Sequence, residues 1–375
     1  MTQKTSKPSS DWIVPFNNLY AGLEPDQQRL ENTFKEVLQG GRFIMGQRLF
    51  DFEAKFAKYN DMKFGVGVAS GTDAISMALG AAGIGNGDLV LTVANSAPAT
   101  VTAIKASGCR VRFCDIDDRA LMDPGELKQK RVMEGVKAVV PVHLYGRIAN
   151  VKAIADIADA YGAVVIEDAA QAAGASSEDY KIGTRSKAVA FSFYPTKNLG
   201  ALGDGGMVLT NDEAIMGRIK LARNYGLVDG KNLFYGCNSR LDELQAALLD
   251  VRLDSLIWIN NERRKIAVHY CKRLSGMKHL AASGVYRGDN CHLYIVHCDE
   301  RDNLQKFLEK EKIQTMIHYQ TPAHKMPIES GNFYPIPVKR TEEHCRTVLS
   351  LPCWPGMKEG QVETVVRAIR RYFHE

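Results

Sequence analysis

The sequence predicts an α/β protein, with a large, mostly parallel sheet domain followed by a small α+β domain. Three observations lead there. From about Lys63 to Thr210, short apolar strand-like runs alternate with helix-like stretches, the pattern of strands joined by crossover helices and buried on both faces. After Asn211 the chain becomes more helical, and from about Cys291 it mixes strands with helices. At 375 residues it is also too long for one typical core.

The elements follow in order. "KFGVGVAS" reads as a strand leading into the helix "TDAISMALGAAG", and "DLVLTVA" as a strand before "PATVTAIKASG". "RVRFCDID", "KAVVPVHLYG", "AVVIEDAA", "AVAFSFYP" and "GGMVLTND" are further strands. "NVKAIADIADAYG" is a helix with Ile154, Ile157 and Ala158 on one face and Gly162 as its stop. A long amphipathic pattern runs through "RLDELQAALLDVRLDSLIWINNERRKIAVHYCKRL". Beyond it, "CHLYIVHC" and "QTMIHY" read as strands, "RDNLQKFLEKE" and "GQVETVVRAIRRYF" as helices. The expected organisation is a flexible tail over 1–12, a large domain over 13–250, and a linking helix with the small domain over 251–375.

The composition, 45% hydrophobic and 24% charged, is that of an ordinary globular protein. A formal net charge of +5 suits an anionic small molecule at least as well as nucleic acid, and no dense Lys/Arg run favours the latter. Eight irregularly spaced cysteines without CxxC, and no secretory signal, point to a reducing, cytoplasmic setting. No apolar run approaches membrane-spanning length.

The chemistry centres on "VVIEDAAQAAGA" and "FSFYPTKNLGALGDGG". Asp168 falls at the C-terminal end of one strand and Lys197 just after another, the edge where parallel sheets gather ligands. A buried carboxylate with a lysine nearby suits pyridoxal phosphate: the lysine for a Schiff base, the aspartate for the pyridine nitrogen. On pattern alone a structural Asp–Lys ion pair is an equal alternative. Ser70, Gly71 and Thr72 at a strand-to-helix turn offer backbone N–H groups and hydroxyls to a phosphate; plain N-capping is the commoner use of such a triplet. Ser192 faces away from Phe191 and Phe193 and serves either as a further phosphate contact or as a core hydroxyl.

"SGTDAISMAL", "PVHLYG", "VVIEDAAQAAGA", "FSFYPTKNLGALGDGGMVLTND", "ARNYG", "NSRLDELQAALL", "IHYQTPAH" and "VLSLP" occur together and in order. With them the chain resembles the DegT/DnrJ/EryC1/StrS family of nucleotide-sugar aminotransferases, from about Val14 to Phe373. The resemblance implies a fold-type I, aspartate aminotransferase-like, pyridoxal phosphate enzyme, usually a homodimer with shared active sites. It implies that L-glutamate loads the amine, giving pyridoxamine phosphate, and that a nucleotide-linked keto-sugar receives it. A dTDP-linked 3-keto-6-deoxyhexose is the nearest match. Lys197 then matches the Schiff-base lysine, Asp168 the partner of the ring nitrogen, and Gln171 the glutamine near the phenolic oxygen. Gly71, Thr72 and Ser192 match phosphate contacts, and Asn238 the asparagine that reaches the neighbouring subunit's phosphate. His318, Tyr319 and His324 match a segment lining the sugar pocket.

Two departures stand out. Where many relatives cover the cofactor ring with an aromatic or histidine, this chain offers Asn95, Ser96 and Ala97; where many have histidine after the glutamine, it has Ala173. A sugar dehydratase of the same family would carry histidine in place of Lys197, so the lysine argues for transamination. A non-catalytic regulatory member is the rival from another class. Cys291, His292, His297 and Cys298 invite a zinc reading, but strand alternation splits them between two faces, so no metal is expected.

Overall fold

Seven strands form the main sheet: β1 Phe64–Val68, β2 Leu89–Val93, β3 Arg110–Cys114, β4 Val136–Val139, β5 Val164–Asp168, β6 Ala188–Ser192 and β7 Gly206–Thr210. Their spatial order is β1-β7-β6-β5-β4-β2-β3. The pairs among β2 to β6 are parallel, while β7 is antiparallel to both β6 and β1. The fold is therefore α/β with a mostly parallel sheet. The computed structural model describes residues 12–329 and 336–375; most of the expected N-terminal tail lies outside them.

Both sheet faces are covered, which explains the apolar strands. Along β6, Val189 and Phe191 enter one core while Ala188 and Ala190 enter the other. The period of two thus splits one strand between two layers. β4 is shorter than "KAVVPVHLYG" suggests. Pro141 has no N–H to give to the ladder, and pairing resumes only as a single bridge from Val142 to Asp168.

The expected helices are present. Val151–Ala160 buries Ile154 and Ala158 and ends before Gly162, which adopts φ 67°. The long amphipathic stretch is one helix, Glu243–Leu274, and the expected boundary at residue 250 lies within it. Two short strands, β8 Leu227–Val228 and β9 Lys231–Asn232, form a hairpin just before it.

The C-terminal part has a three-stranded antiparallel sheet of β10 Ala281–Ala282, β11 Tyr294–His297 and β12 Val348–Leu351. Helices Arg301–Lys310 and Glu359–Phe373 pack with it around a separate core. Two expectations need correction. β11 covers only the second half of "CHLYIVHC", so alternation does not govern Cys291 and His292. "QTMIHY" is not a strand: it touches its neighbours at single points, the Gln314 N–H donating to Val14 O at 2.9 Å and Met316 bridging to Ser350. Among the described residues no helix is long and apolar enough to cross a membrane.

Candidate active site

The site forms where β2, β4, β5 and β6 end on the same sheet edge. β5 ends on Glu167 and Asp168, which alternation sends to opposite faces. Glu167 Oε1 accepts hydrogen bonds from Tyr180 Oη at 2.8 Å and the Gly183 N–H at 2.8 Å. Its Oε2 lies 2.9 Å from His143 Nε2. His143 Nδ1 accepts from the Ala149 N–H at 3.1 Å, which places the imidazole proton on Nε2. This buried network fixes the strand end from behind.

Asp168 itself faces a cleft. Its Oδ1 accepts from the Ala170 N–H at 3.0 Å and its Oδ2 from Thr100 Oγ1 at 2.8 Å. Burial pushes its carboxyl above the usual range, while those two donors and the charge of Lys197 pull it back. Lys197 lies in the turn after β6, its N–H donating to Tyr194 O at 2.8 Å. Among the described residues its Nζ makes no hydrogen bond and no ion pair, so the structural ion-pair alternative is not what the geometry shows. Burial lowers the amine to about 8, against the raising effect of Asp168. A lysine so depressed is partly neutral near pH 7.5 and can act as nucleophile or base.

The cleft has a volume of about 220 Å³. It brings together six of the predicted residues: Gly71, Thr72, Asp168, Gln171, Ser192 and Lys197. Gly71 opens the helix Gly71–Ala81, whose N-cap Ser70 accepts from the Asp73 N–H at 3.1 Å. The capping role of Ser70 is thus real, and Gly71 and Thr72 remain on the cleft. A Cβ on Gly71 would lie 2.6 Å from Ser192 Cβ, and one on Gly206 2.3 Å from Ser70 O. Glycine at both positions lets the turn close down on β6 and β7.

Gln171 is oriented by Tyr145. The Tyr145 N–H donates to Gln171 Oε1 at 2.6 Å, and Gln171 Nε2 lies 3.4 Å from Tyr319 Oη. Tyr145 Oη donates to the His318 carbonyl and sits 2.8 Å from His344 Nε2. His318 Nδ1 is 2.9 Å from Ser350 Oγ. Burial, then Lys197, lowers His318 to about 4, whereas burial, then Asp168, raises Tyr319 to about 12. Both side chains are therefore neutral at pH 7.

Other predicted residues lie elsewhere. His324 does not line the cleft; it lies 3.0 Å from Glu342 Oε1 and against Phe113 of β3, at the far edge of the sheet. Asn238 is exposed and bridges to Asn224, away from its own chain's cleft. Of the three ring-covering candidates, Ser96 and Ala97 line the cleft. Asn95 turns into the core, donating from Nδ2 to Ala120 O at 2.9 Å. His292 Nδ1 and His297 Nδ1 are bonded to Asn198 and Thr347.

Residues 25–370 match the DegT/DnrJ/EryC1/StrS aminotransferase family. The chain belongs to that family. A pleiotropic regulatory protein of Geobacillus stearothermophilus is 39% identical over 373 residues, covering 96% of this chain and 98% of its own. A dTDP-3-amino-3,4,6-trideoxy-alpha-D-glucose transaminase of Streptomyces venezuelae is 38% identical over 364 residues, covering 96% of each chain. Bacillus subtilis NtdA, solved with bound cofactor PMP, superposes with a TM-score of 0.91 at 28% identity, covering 100% of this chain and 87% of that one.

Sequence reasoning missed two residues of this DegT/DnrJ/EryC1/StrS aminotransferase's cleft, Thr100 and Tyr194, and a third, Tyr145, that lies behind it and orients Gln171. Ser96 and Thr100, one turn apart after β2, were a usable signal, since their hydroxyls lie 2.6 Å apart and lead to Asp168. Tyr194 was equally available, three residues before Lys197, and it lines the cleft while 52% exposed. Nothing local marks Tyr145, whose partners come from three distant segments.

Proposed function

We propose that this chain binds pyridoxal 5'-phosphate in the Asp168–Lys197 cleft and transfers the amino group of L-glutamate to the ketone of a nucleotide-linked sugar. The observation that carries the proposal is an unpartnered, half-buried Lys197 sharing one cleft with the carboxylate of Asp168. The donor set fits the group. The helix N-terminus at Gly71 and Thr72, with Ser192 beside it, suits the phosphate. Asp168, held by Thr100 and Ala170, suits a protonated ring nitrogen, whose charge would draw its pKa back down. Gln171, clamped by Tyr145, suits the phenolic oxygen.

When bound, the cofactor supplies a conjugated ring that takes up the electron pair released at the substrate carbon, and it carries the amine as pyridoxamine phosphate. Lys197 tethers it at rest. With the cofactor bound, the Lys197 amine, with its lowered pKa, would be the base that takes the proton from the donor's α-carbon and returns it. Tyr319 and His318, both neutral, orient the sugar by hydrogen bonds rather than by charge.

The dTDP-linked 3-keto-6-deoxyhexose is the favoured acceptor, in keeping with the name of the Streptomyces relative. The presence of Lys197 supports transamination over dehydration. Lys197, Asp168 and Gln171 standing together support an enzyme over a purely regulatory protein. A homodimer with shared sites is part of the proposal. Asn238 stands outside its own cleft beside the exposed Leu233, Phe234 and Tyr235, a surface suited to a second copy.

The test is to incubate the protein with pyridoxal phosphate, L-glutamate and a panel of dTDP- and UDP-linked keto-sugars, reading products by mass. Exchange of the oxo group for an amine on the dTDP-3-keto-6-deoxyhexose is expected. Amination of only the UDP sugars would overturn the choice of acceptor. Failure with every sugar, while glutamate still yields 2-oxoglutarate, would overturn the sugar class.

A further inference from the structure

We infer that a second cavity beside Lys197 is a seat for a small aliphatic carboxylate, of the class of the amino donor and its keto product. It measures about 300 Å³ and lies between the 17–23 segment, the Lys197 turn and the helix Glu243–Leu274. Lys197 belongs to the wall of this cavity and of the active-site cleft alike. The inference rests on the glutamate-dependent reading above, and it adds the place where the donor's charge is met.

Charge is the first argument. Lys197, Arg252 and Arg263 all line the cavity, and no aspartate or glutamate does among the described residues. Arg252 and Arg263 are each only 5% exposed. The guanidinium of Arg252 makes one long hydrogen bond, Nη1 to Gly22 O at 3.4 Å, and its Nε has no partner. Arg263 Nη1 donates to the carbonyls of His292, at 3.0 Å, and Cys353, and its Nε is also unpartnered.

Neither arginine forms an ion pair among the described residues. Asp26 acts on Arg252 through space: its Oδ1 is held by Ser255 at 2.9 Å and Arg29 at 3.4 Å, and its buried Oδ2 has no hydrogen-bond partner. Burial brings Arg252 down to about 10, with Asp26 opposing. A buried cation with no carboxylate in contact is costly, and an incoming anion relieves that cost.

Shape is the second argument. Leu19, Leu23, Ile259 and Pro355 line the same cavity with apolar walls, together with Asn17 and Asn18. A bare phosphate has no use for apolar walls, whereas the methylenes of a short dicarboxylate fill them. Among cations, arginine is the one suited to grip a carboxylate with two parallel hydrogen bonds.

The test compares the full-length protein with Arg252→Met and Arg252→Lys. In the cofactor-loaded protein, bleaching of the visible band is followed with L-glutamate and with L-alanine. The ratio of the two kcat/KM values is expected to fall on the order of 30-fold in R252M and to recover in part in R252K. A ratio equal to wild type would overturn the inference.

A second arm needs neither cofactor nor turnover. 2-Oxoglutarate is titrated calorimetrically into the cofactor-free protein, with inorganic phosphate as a competing anion. Binding to wild type, loss in R252M and no displacement by phosphate are expected. Equal binding by both proteins, or displacement by phosphate, would overturn the carboxylate assignment. If no visible band ever forms, the functional reading fails by itself while the calorimetric arm still decides the seat.

Discussion

At the scale of single residues, the account depends on Lys197 being desolvated and without a partner. Its folded pKa of about 8 lies below the ordinary 10.5. Below pH 8 the folded chain bears the cost of a poorly solvated ammonium. Between about 8 and 10.5 the unfolded chain binds more protons, so stability rises with pH. In cofactor-free protein, Lys197→Met is therefore expected to be more stable than wild type at pH 7, and that advantage shrinks by roughly 3 kcal/mol by pH 10.5. Urea unfolding at both pH values checks the sign. Thr100→Val removes the hydroxyl that donates to Asp168 Oδ2. It is expected to raise the acid limb of the pH–rate profile and to lower kcat by about tenfold, read by stopped-flow absorbance. Lys197 and Asp168 were legible in the sequence because strand ends and residue types are local facts. Tyr145 was not, since its role depends on which side chains meet across separate elements.

At the scale of elements, the phosphate seat is a matter of how closely the first helix turn approaches β6 and β7. Gly71→Ala puts a methyl 2.6 Å from Ser192 Cβ, a backbone-borne contact that must push the turn away. The expected cost is about 1–3 kcal/mol in urea unfolding, with pyridoxal phosphate lost on gel filtration where wild type retains it. The parallel strands were legible because each is a continuous apolar run bounded by turns. The "QTMIHY" segment misled because it meets different neighbours one at a time, Val14 through Gln314 and then Ser350 through Met316. The apolar pattern is the same whether the partner is one strand or several.

At the scale of the whole molecule, Asn238 lies outside its own cleft while Lys197 lies inside it, and in the proposed homodimer Asn238 of one chain would complete the site of the other. Mixing Lys197→Ala with Asn238→Asp subunits is expected to restore transamination absent from either parent, because each hybrid dimer holds one intact site. No recovery, with hybrids shown by native mass spectrometry, would mean that the sites are not shared. The central claim, that Lys197 is the covalent seat of pyridoxal phosphate, is tested most directly by the intact mass of the protein after loading and borohydride reduction. The account predicts one pyridoxyl phosphate adduct per chain, mapped to the Lys197 peptide and absent from Lys197→Ala. An unmodified chain, or an adduct that persists in Lys197→Ala, would contradict it.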